Sequence, residues 1–171
     1  MRSGQTLLFT IISVLILYSC DKNGGRNLDQ GEIHYDVILK GHLTHMPREL
    51  MPKNLIFTFK DDKTVYELIS PFGNTGIVNL ANPSLDIYDT YLSLFTIKYF
   101  YPSEPGEIFP GFESMKGIDI RKTSKTSVIC GFNCKNAEVT FPSDRSKIFN
   151  VCYTTEIPVS RPNASTPFQE I

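Results

Sequence analysis

The stretch LIFTFKDDKTVYELI, residues 55–69, decides the class of fold. Leu55, Phe57 and Phe59 recur with a period of two, which is typical of a strand with one buried face. The polar turn at residues 61–63 leads into a second run of strand-forming residues, 64–69. Two such runs around a short polar turn predict a β-hairpin.

The same period of two extends outward from this hairpin. On its N-terminal side, Ile33, Tyr35, Val37 and Leu39 alternate with other side chains. On its C-terminal side, short runs between turn signals predict strands at residues 77–80, 98–101, 117–122, 127–131, 134–141 and 148–157. The chain is therefore predicted to be mainly β, with a curved antiparallel sheet that forms an incomplete β-barrel over one domain, residues 31–157.

One segment departs from this pattern. From Leu85 to Phe95 the polar residues fall three and four positions apart, which is helical spacing. Ser84 follows Pro83 and is a suitable N-cap. We predict one amphipathic helix from Ser84 to Phe95 that serves as a lid or plug for the barrel. A strand over the same residues is the alternative, because Tyr, Phe and Ile are good strand residues.

The last segment, residues 158–171, is set apart from the domain as a proline-rich tail. It contains three prolines and shows little periodicity. This composition predicts an extended or frayed C-terminal end.

Composition and charge exclude several classes of protein. The 17 basic and 18 acidic residues give a net charge of −1, so the chain has no field that would neutralise phosphates, and nucleic acid is not an expected partner. The 12 Phe and 8 Tyr residues argue against disorder. A chain of this length buries roughly 70% of its unfolded surface, so its core needs no metal or disulfide.

The first twenty residues indicate where the protein goes. A positive start at Arg2 is followed by twelve uncharged residues, Leu7–Tyr18. In a helix this run is about 18 Å long, which is short of the roughly 30 Å hydrocarbon core of a bilayer. The run is therefore predicted to be a secretory signal rather than a permanent membrane span.

The end of that signal resembles a bacterial lipobox, with Leu17 and Ser19 before Cys20. The resemblance implies a lipoprotein signal peptide at residues 1–19, acylation of Cys20 by chains such as palmitate, and a flexible tether at residues 20–30. Two or three acyl chains give stable attachment. The expected location is the cell envelope, at the outer membrane. The alternatives are a plain cleaved signal and an uncleaved anchor with an incidental cysteine.

Three further segments carry a wider resemblance: Gly31–Val37, Ile129–Ala137 and Cys152–Ile157. Together with the lipobox they resemble a broad group of uncharacterised lipoproteins common in Bacteroidota, whose domain is similar to the outer-membrane lipoprotein carriers. This resemblance implies an incomplete antiparallel barrel with a helical lid and, by analogy, a cavity for an apolar ligand. It implies no catalytic residue. Related chains continue past the Pro167–Phe168 pair with further strands, whereas this chain stops at Ile171.

Three cysteines remain in the domain: Cys130, Cys134 and Cys152. In an oxidising compartment, one disulfide and one free thiol is the first interpretation. However, a hairpin that turns at Asp144–Arg145 places Cys152 opposite Ala137, three residues and about 10 Å from Cys134, which is beyond the reach of a disulfide. Buried structural thiols are therefore the favoured interpretation.

Motifs that carry chemistry are few. His42 and His45, with Met46 and the upstream His34, have the residue types of a soft-metal cluster, but no carboxylate or cysteine lies at ligand spacing, so we expect a solvated loop and no metal. The sequence has no nucleophile motif, no phosphate-binding glycine loop and no zinc-protease motif. We therefore predict no catalytic residue, no cofactor and a protein that is not an enzyme.

The aromatic residues between positions 88 and 112 are the strongest indication of function in the sequence. One interpretation is ordinary core. The other is that they line the mouth of a half-open barrel and bind an apolar or lipid-like ligand, since rings with hydroxyl tips suit an amphipathic molecule. The alternative function is a structural or assembly lipoprotein that binds an envelope protein through a sheet edge or an aromatic patch. The candidate ligand-binding residues are Tyr88, Tyr91, Phe95, Tyr99, Phe109 and Phe112.

The lipobox generates the first testable prediction. Cys20→Ser removes the thiol that accepts the acyl chains, so we expect the variant to lose incorporation of a labelled fatty acid and to sediment less with membrane vesicles after the signal has been processed. Fatty-acid labelling and sedimentation of the two forms from cell extracts measure this. Equal labelling of the serine variant would contradict acylation at this position.

Overall fold

The computed structural model describes residues 28–38 and 47–171, and these fold into nine strands in two antiparallel sheets. Six strands form the larger sheet: β1 (Gln30–Asp36), β2 (Asn54–Lys60), β3 (Lys63–Ile69), β4 (Thr75–Asn82), β5 (Ile87–Leu94) and β6 (Ile97–Pro102). Three form the smaller sheet: β7 (Asp119–Ile129), β8 (Phe132–Phe141) and β9 (Asp144–Tyr153). Short 3-10 turns lie at Arg48–Leu50, Pro83–Leu85 and Glu113–Met115. The mainly β antiparallel class is thereby confirmed.

The larger sheet is a meander in which every strand pairs with the next one along the chain, from β1 to β6. The hairpin at residues 55–69 is confirmed, with Leu55 opposite Leu68 and the turn at Asp61–Asp62. The sheet is open, since β1 and β6 lie at its two edges. The five registers contain no shift, so residues directly opposite one another lie on the same face across all six strands.

The amphipathic helix predicted from Ser84 to Phe95 is wrong. Ser84 lies in the 3-10 turn, Asp86 adopts a left-handed conformation, and Ile87–Leu94 form β5 between β4 and β6. Side chains four apart share a face in a strand as well as in a helix, but side chains three apart lie on opposite faces of a strand, so the spacing alone favours the helix. Pairing on both sides then favours the strand, because Ile, Tyr and Thr pack well on a pleated surface. The strand alternative is confirmed, and no lid helix is found among the described residues.

The buried side chains of the larger sheet all lie on one face, which we call the inner face. They are Phe57, Phe59, Thr64, Asn79, Tyr88 and Thr90, and their cross-strand partners place them on the same side. The opposite, outer face carries Glu32, Glu67 and Asp89. The inner face therefore supplies the buried core, whereas outer-face side chains in the middle of the sheet, such as Ile56, Val65 and Val78, are half-buried.

The C-terminal tail covers part of this inner face. Val159 is buried against Phe57 and Phe59, and Ile157 packs on the same cluster. The Tyr66 hydroxyl lies 3.2 Å from the Pro162 carbonyl oxygen. The tail predicted to be extended or frayed is instead a layer of the fold, because an apolar strand face must be covered and residues 157–168 supply the cover.

The smaller sheet contains the three cysteines of the domain, all of them as free thiols. A register shift between Thr140 and Phe141 places Cys152 opposite Asn136, whereas the sequence predicted Ala137. A shift by one residue moves a side chain to the other face of a sheet. Cys134 is buried as predicted, but Cys130 and Cys152 are exposed, so the prediction of buried thiols holds for one of the three.

Packing of the tail generates a stability prediction. Val159→Ala removes two buried methyl groups from the core cluster, so we expect the free energy of unfolding to fall by about 2 kcal/mol. Val128→Ala is the matched control, because Val128 is 70% exposed and Val159 only 9%. Urea denaturation measures both variants. Equal losses for the two would show that the tail contributes nothing to the core.

A second prediction concerns the pH dependence of this packing. Hydrogen bonds from the Ser160 hydroxyl and backbone N–H lower the pKa of Asp62, and Arg161 lowers it further. A lowered carboxyl pKa stabilises the fold above the unfolded value of about 4, and that contribution is lost as the pH falls through the folded value. Denaturation at pH 7 and at pH 3 should therefore find a larger advantage of the wild type over Asp62→Asn at pH 7 than at pH 3. An advantage of equal size at the two pH values would exclude this charge effect.

Candidate apolar binding site

An unbroken row of apolar side chains crosses the inner face of the larger sheet, one from each strand. Cross-strand pairing runs from Tyr35 to Leu55, then through the next three strands, to Tyr99. We call this row the apolar stripe. Its members are Tyr35, Leu55, Leu68, Ile77, Leu92 and Tyr99.

The stripe remains partly open to solvent. The four aliphatic side chains in its middle are half-buried, and the two tyrosines at its ends are exposed. By contrast, the row below it contains the buried Phe57, Asn79 and Thr90. The inner face is therefore covered at the row of Phe57 and only half covered at the stripe, which leaves apolar surface that a ligand can contact.

The row next to the stripe on the inner face is held by polar and aromatic contacts. The Thr90 hydroxyl donates to the Asn79 side-chain oxygen at 2.8 Å, and both residues are buried. Phe57 and Tyr66 pack with their ring centroids 4.6 Å apart, and burial raises the pKa of the Tyr66 hydroxyl. These groups satisfy and pack against one another in the row that adjoins the stripe along the strands.

The loop after β6 borders the stripe. At the β1 end of the stripe, burial raises the pKa of the Tyr35 hydroxyl, and the Cys134 thiol raises it further. In the loop after β6, a side chain at Gly111 would begin 3.5 Å from the terminal methyl carbon of Ile77. The backbone φ of +99° at Gly111 also suits glycine. This loop therefore passes close to the middle of the stripe.

The structure does not bring the six predicted ligand-binding residues together. Tyr88 and Tyr99 share the inner face, but Tyr88 is buried two rows beyond the stripe. Tyr91 lies on the outer face, where its ring centroid is 5.1 Å from that of Phe100. The other three do not line the stripe with Tyr99 either: Phe95 is exposed in the β5–β6 turn, Phe109 is buried with its N–H bonded to Ser165, and Phe112 is half-buried.

Sequence reasoning missed five of the six stripe residues. The signal was present in the period of two at Tyr35, Leu55 and Leu68, but only the registers show that these side chains are neighbours. Clustering along the chain selected aromatics from both faces, because consecutive residues of a strand point in opposite directions.

Several predicted features lie outside the described residues. These are the signal peptide at residues 1–19, Cys20, most of the tether, and His42 and His45. His34 is described, and it lies exposed on β1 beside Glu32. In the described ranges no group of three or more His, Cys, Asp or Glu residues is arranged to hold a metal ion. Nor does any helix in those ranges have the length and apolar character needed to cross a membrane.

Comparison with known proteins leaves the site to be interpreted from its own geometry. No family model, no curated protein and no solved structure matches the chain.

Proposed function

We propose that this protein is a lipid-anchored, non-catalytic protein of the cell envelope that binds an apolar or lipid-like ligand along the apolar stripe. The observation that carries the proposal is the unbroken apolar row across six strands, with an exposed tyrosine at each end. Anchoring through Cys20 at the outer membrane, predicted from the sequence, supplies the proximity to lipids that such a ligand requires.

The dimensions of the stripe suit an acyl chain. Strands lie about 4.8 Å apart, so a row across six strands is about 24 Å long. One leaflet is half of the roughly 30 Å hydrocarbon core, so an extended membrane acyl chain is about 15 Å long. The stripe is therefore long enough to lie alongside a whole chain and still contact the start of a headgroup.

The chemistry of the stripe favours an amphipathic molecule. Its four central side chains, Leu55, Leu68, Ile77 and Leu92, carry no polar atom. Each methylene removed from water contributes about 0.8 kcal/mol, from which the entropic cost of association is subtracted. Tyr35 and Tyr99 add hydroxyl groups at the ends of the row, where a polar headgroup would emerge.

A second candidate function rests on a different surface. The edge strand β6 has all six residues exposed, and the Tyr91–Phe100 ring pair stands on its outer face. Lys98 and Pro102 hinder the addition of another strand to this edge, so an envelope protein would bind through the aromatic rings. The stripe remains the stronger candidate because it spans the whole sheet.

Photo-crosslinking tests the first proposal. The full-length protein is reconstituted in phosphatidylcholine vesicles that contain a free fatty acid with a diazirine group along its chain. After illumination, mass spectrometry identifies the crosslinked residues. We expect crosslinks at the central stripe residues, and a several-fold loss in Leu92→Asn because a polar amide interrupts the apolar row.

Ser93→Asn is the matched control for that variant. Ser93 is adjacent in sequence and also half-buried, but its side chain lies on the outer face. Crosslinking of this control should equal that of the wild type, with thermal unfolding confirming that both variants fold. Crosslinks confined to the outer face, or equal yields for the two variants, would reject the stripe as the ligand site.

A further inference from the structure

Two hairpin turns lie side by side at one end of the larger sheet. The β3–β4 turn carries Phe72 and the β5–β6 turn carries Phe95. The Phe95 backbone N–H donates to the Asn74 carbonyl oxygen at 2.6 Å, which joins the two turns. We call Phe72, Phe95 and the flanking Leu94 and Ile97 the aromatic tip.

Large apolar side chains project from this tip into solvent. Phe72 is 68% exposed and Phe95 60% exposed, and Leu94 and Ile97 are exposed beside them. Phe95 also holds a φ of +55°, which is unfavourable for a bulky residue. A strained backbone that presents an apolar ring to solvent points to a function for that ring.

Backbone hydrogen bonds hold the two turns of the tip together. Within the first turn, the Ser70 N–H donates to the Thr75 carbonyl oxygen at 2.8 Å and the Gly73 N–H to the Ser70 carbonyl oxygen at 2.9 Å. The second turn is tied to the first through Asn74. These bonds place the apolar side chains of the two turns next to one another.

The two turns of the tip carry no charge. The tip segments, residues 69–77 and 90–97, contain no charged residue, and Lys98 follows them directly. At the same end of the sheet, charged residues lie in the β1–β2 connection, where Asp36 and Lys53 flank the first two strands. The two tip turns can therefore enter an apolar phase without taking a charge of their own out of water.

We infer that the aromatic tip inserts into the interface of a lipid bilayer. Phe72 and Phe95 would enter the acyl region, each favouring the bound state by a factor of about ten or more when its ring leaves water. Tyr99 and Tyr101 lie higher on the same hairpin, at the level where tyrosines favour the headgroup region. Lys98 extends its ammonium group toward the lipid phosphates.

The length of the tether permits this orientation. Nine residues lie between Cys20 and Gln30, and the ten Cα–Cα steps that join the two reach at most about 35 Å. The seven residues of β1 cover only about 24 Å. An acylated Cys20 and the tip at the far end of β1 can therefore contact the same membrane.

Insertion at this end also places the bilayer next to the apolar stripe. Leu94 and Ile97 lie two residues along their strands from Leu92 and Tyr99, a distance of about 7 Å. A lipid chain could pass from the inserted tip to the stripe without crossing a charged surface. Passage of a ligand by this route rests on the proposed function, whereas insertion of the tip does not.

Tryptophan fluorescence tests the insertion, because the chain has no tryptophan of its own. Phe95→Trp and Phe72→Trp each place a single reporter at the tip. Leu85→Trp is the matched control, since Leu85 is 65% exposed at the opposite end of the sheet. Each full-length variant is reconstituted in phosphatidylcholine vesicles, with and without bromine atoms on the acyl chains.

We expect the tip reporters to emit at shorter wavelength than the control and to be quenched several-fold more by the brominated lipid. The Phe72→Trp variant keeps the test decisive if tryptophan disturbs the strained backbone at position 95. Equal quenching at the two ends would overturn the inference. A blue shift without bromine quenching would overturn it as well, because it would show that protein covers the tip. Neither outcome alters where a fatty acid crosslinks on the stripe, so the two proposals fail separately.

Discussion

The register of the six-stranded sheet is the constraint on which the rest of the structure depends. Because five successive pairings contain no shift, each strand contributes one side chain to every row of the inner face. A slip of one residue in any strand would turn its apolar side chains to the solvent. The rows around Phe57 and Phe59 become the core, and the next row becomes the apolar stripe.

Cover for this face comes from the C-terminal tail and from the loop after β6, and not from a helix. Val159 and Ile157 pack on the phenylalanines of β2, and the Phe109 N–H binds the Ser165 carbonyl oxygen at 2.9 Å. This cover reaches the stripe near Ile77, which Gly111 approaches, but the central side chains of the stripe remain half-buried. A fold that closes its face only in part retains apolar surface, and such surface in contact with water is where ligands and membranes gain the most by binding.

The class of fold was predictable because alternation at Leu55, Phe57 and Phe59 is a local signal. The strand at residues 87–94 was not predictable in this way, since its spacing favours a helix and pairing with β4 and β6 overrides that local signal. The cross-strand partner of Cys152 depends on the register shift between Thr140 and Phe141. The residues of the turn do not reveal that shift. The candidate site was the hardest part to predict from the sequence. Tyr35 and Tyr99 are 64 residues apart, and they become members of one row only through four intervening strands.

The central claim, that the stripe binds an apolar ligand, is tested most directly by methyl NMR of the full-length protein titrated with a fatty acid. The account predicts shifts for the methyl groups of Leu55, Leu68, Ile77 and Leu92. It predicts little change for Ile56, Val65, Val78 and Leu80, which lie on the outer face of the same strands. Shifts of equal size on both faces, or none on the stripe at saturating fatty acid, would contradict it.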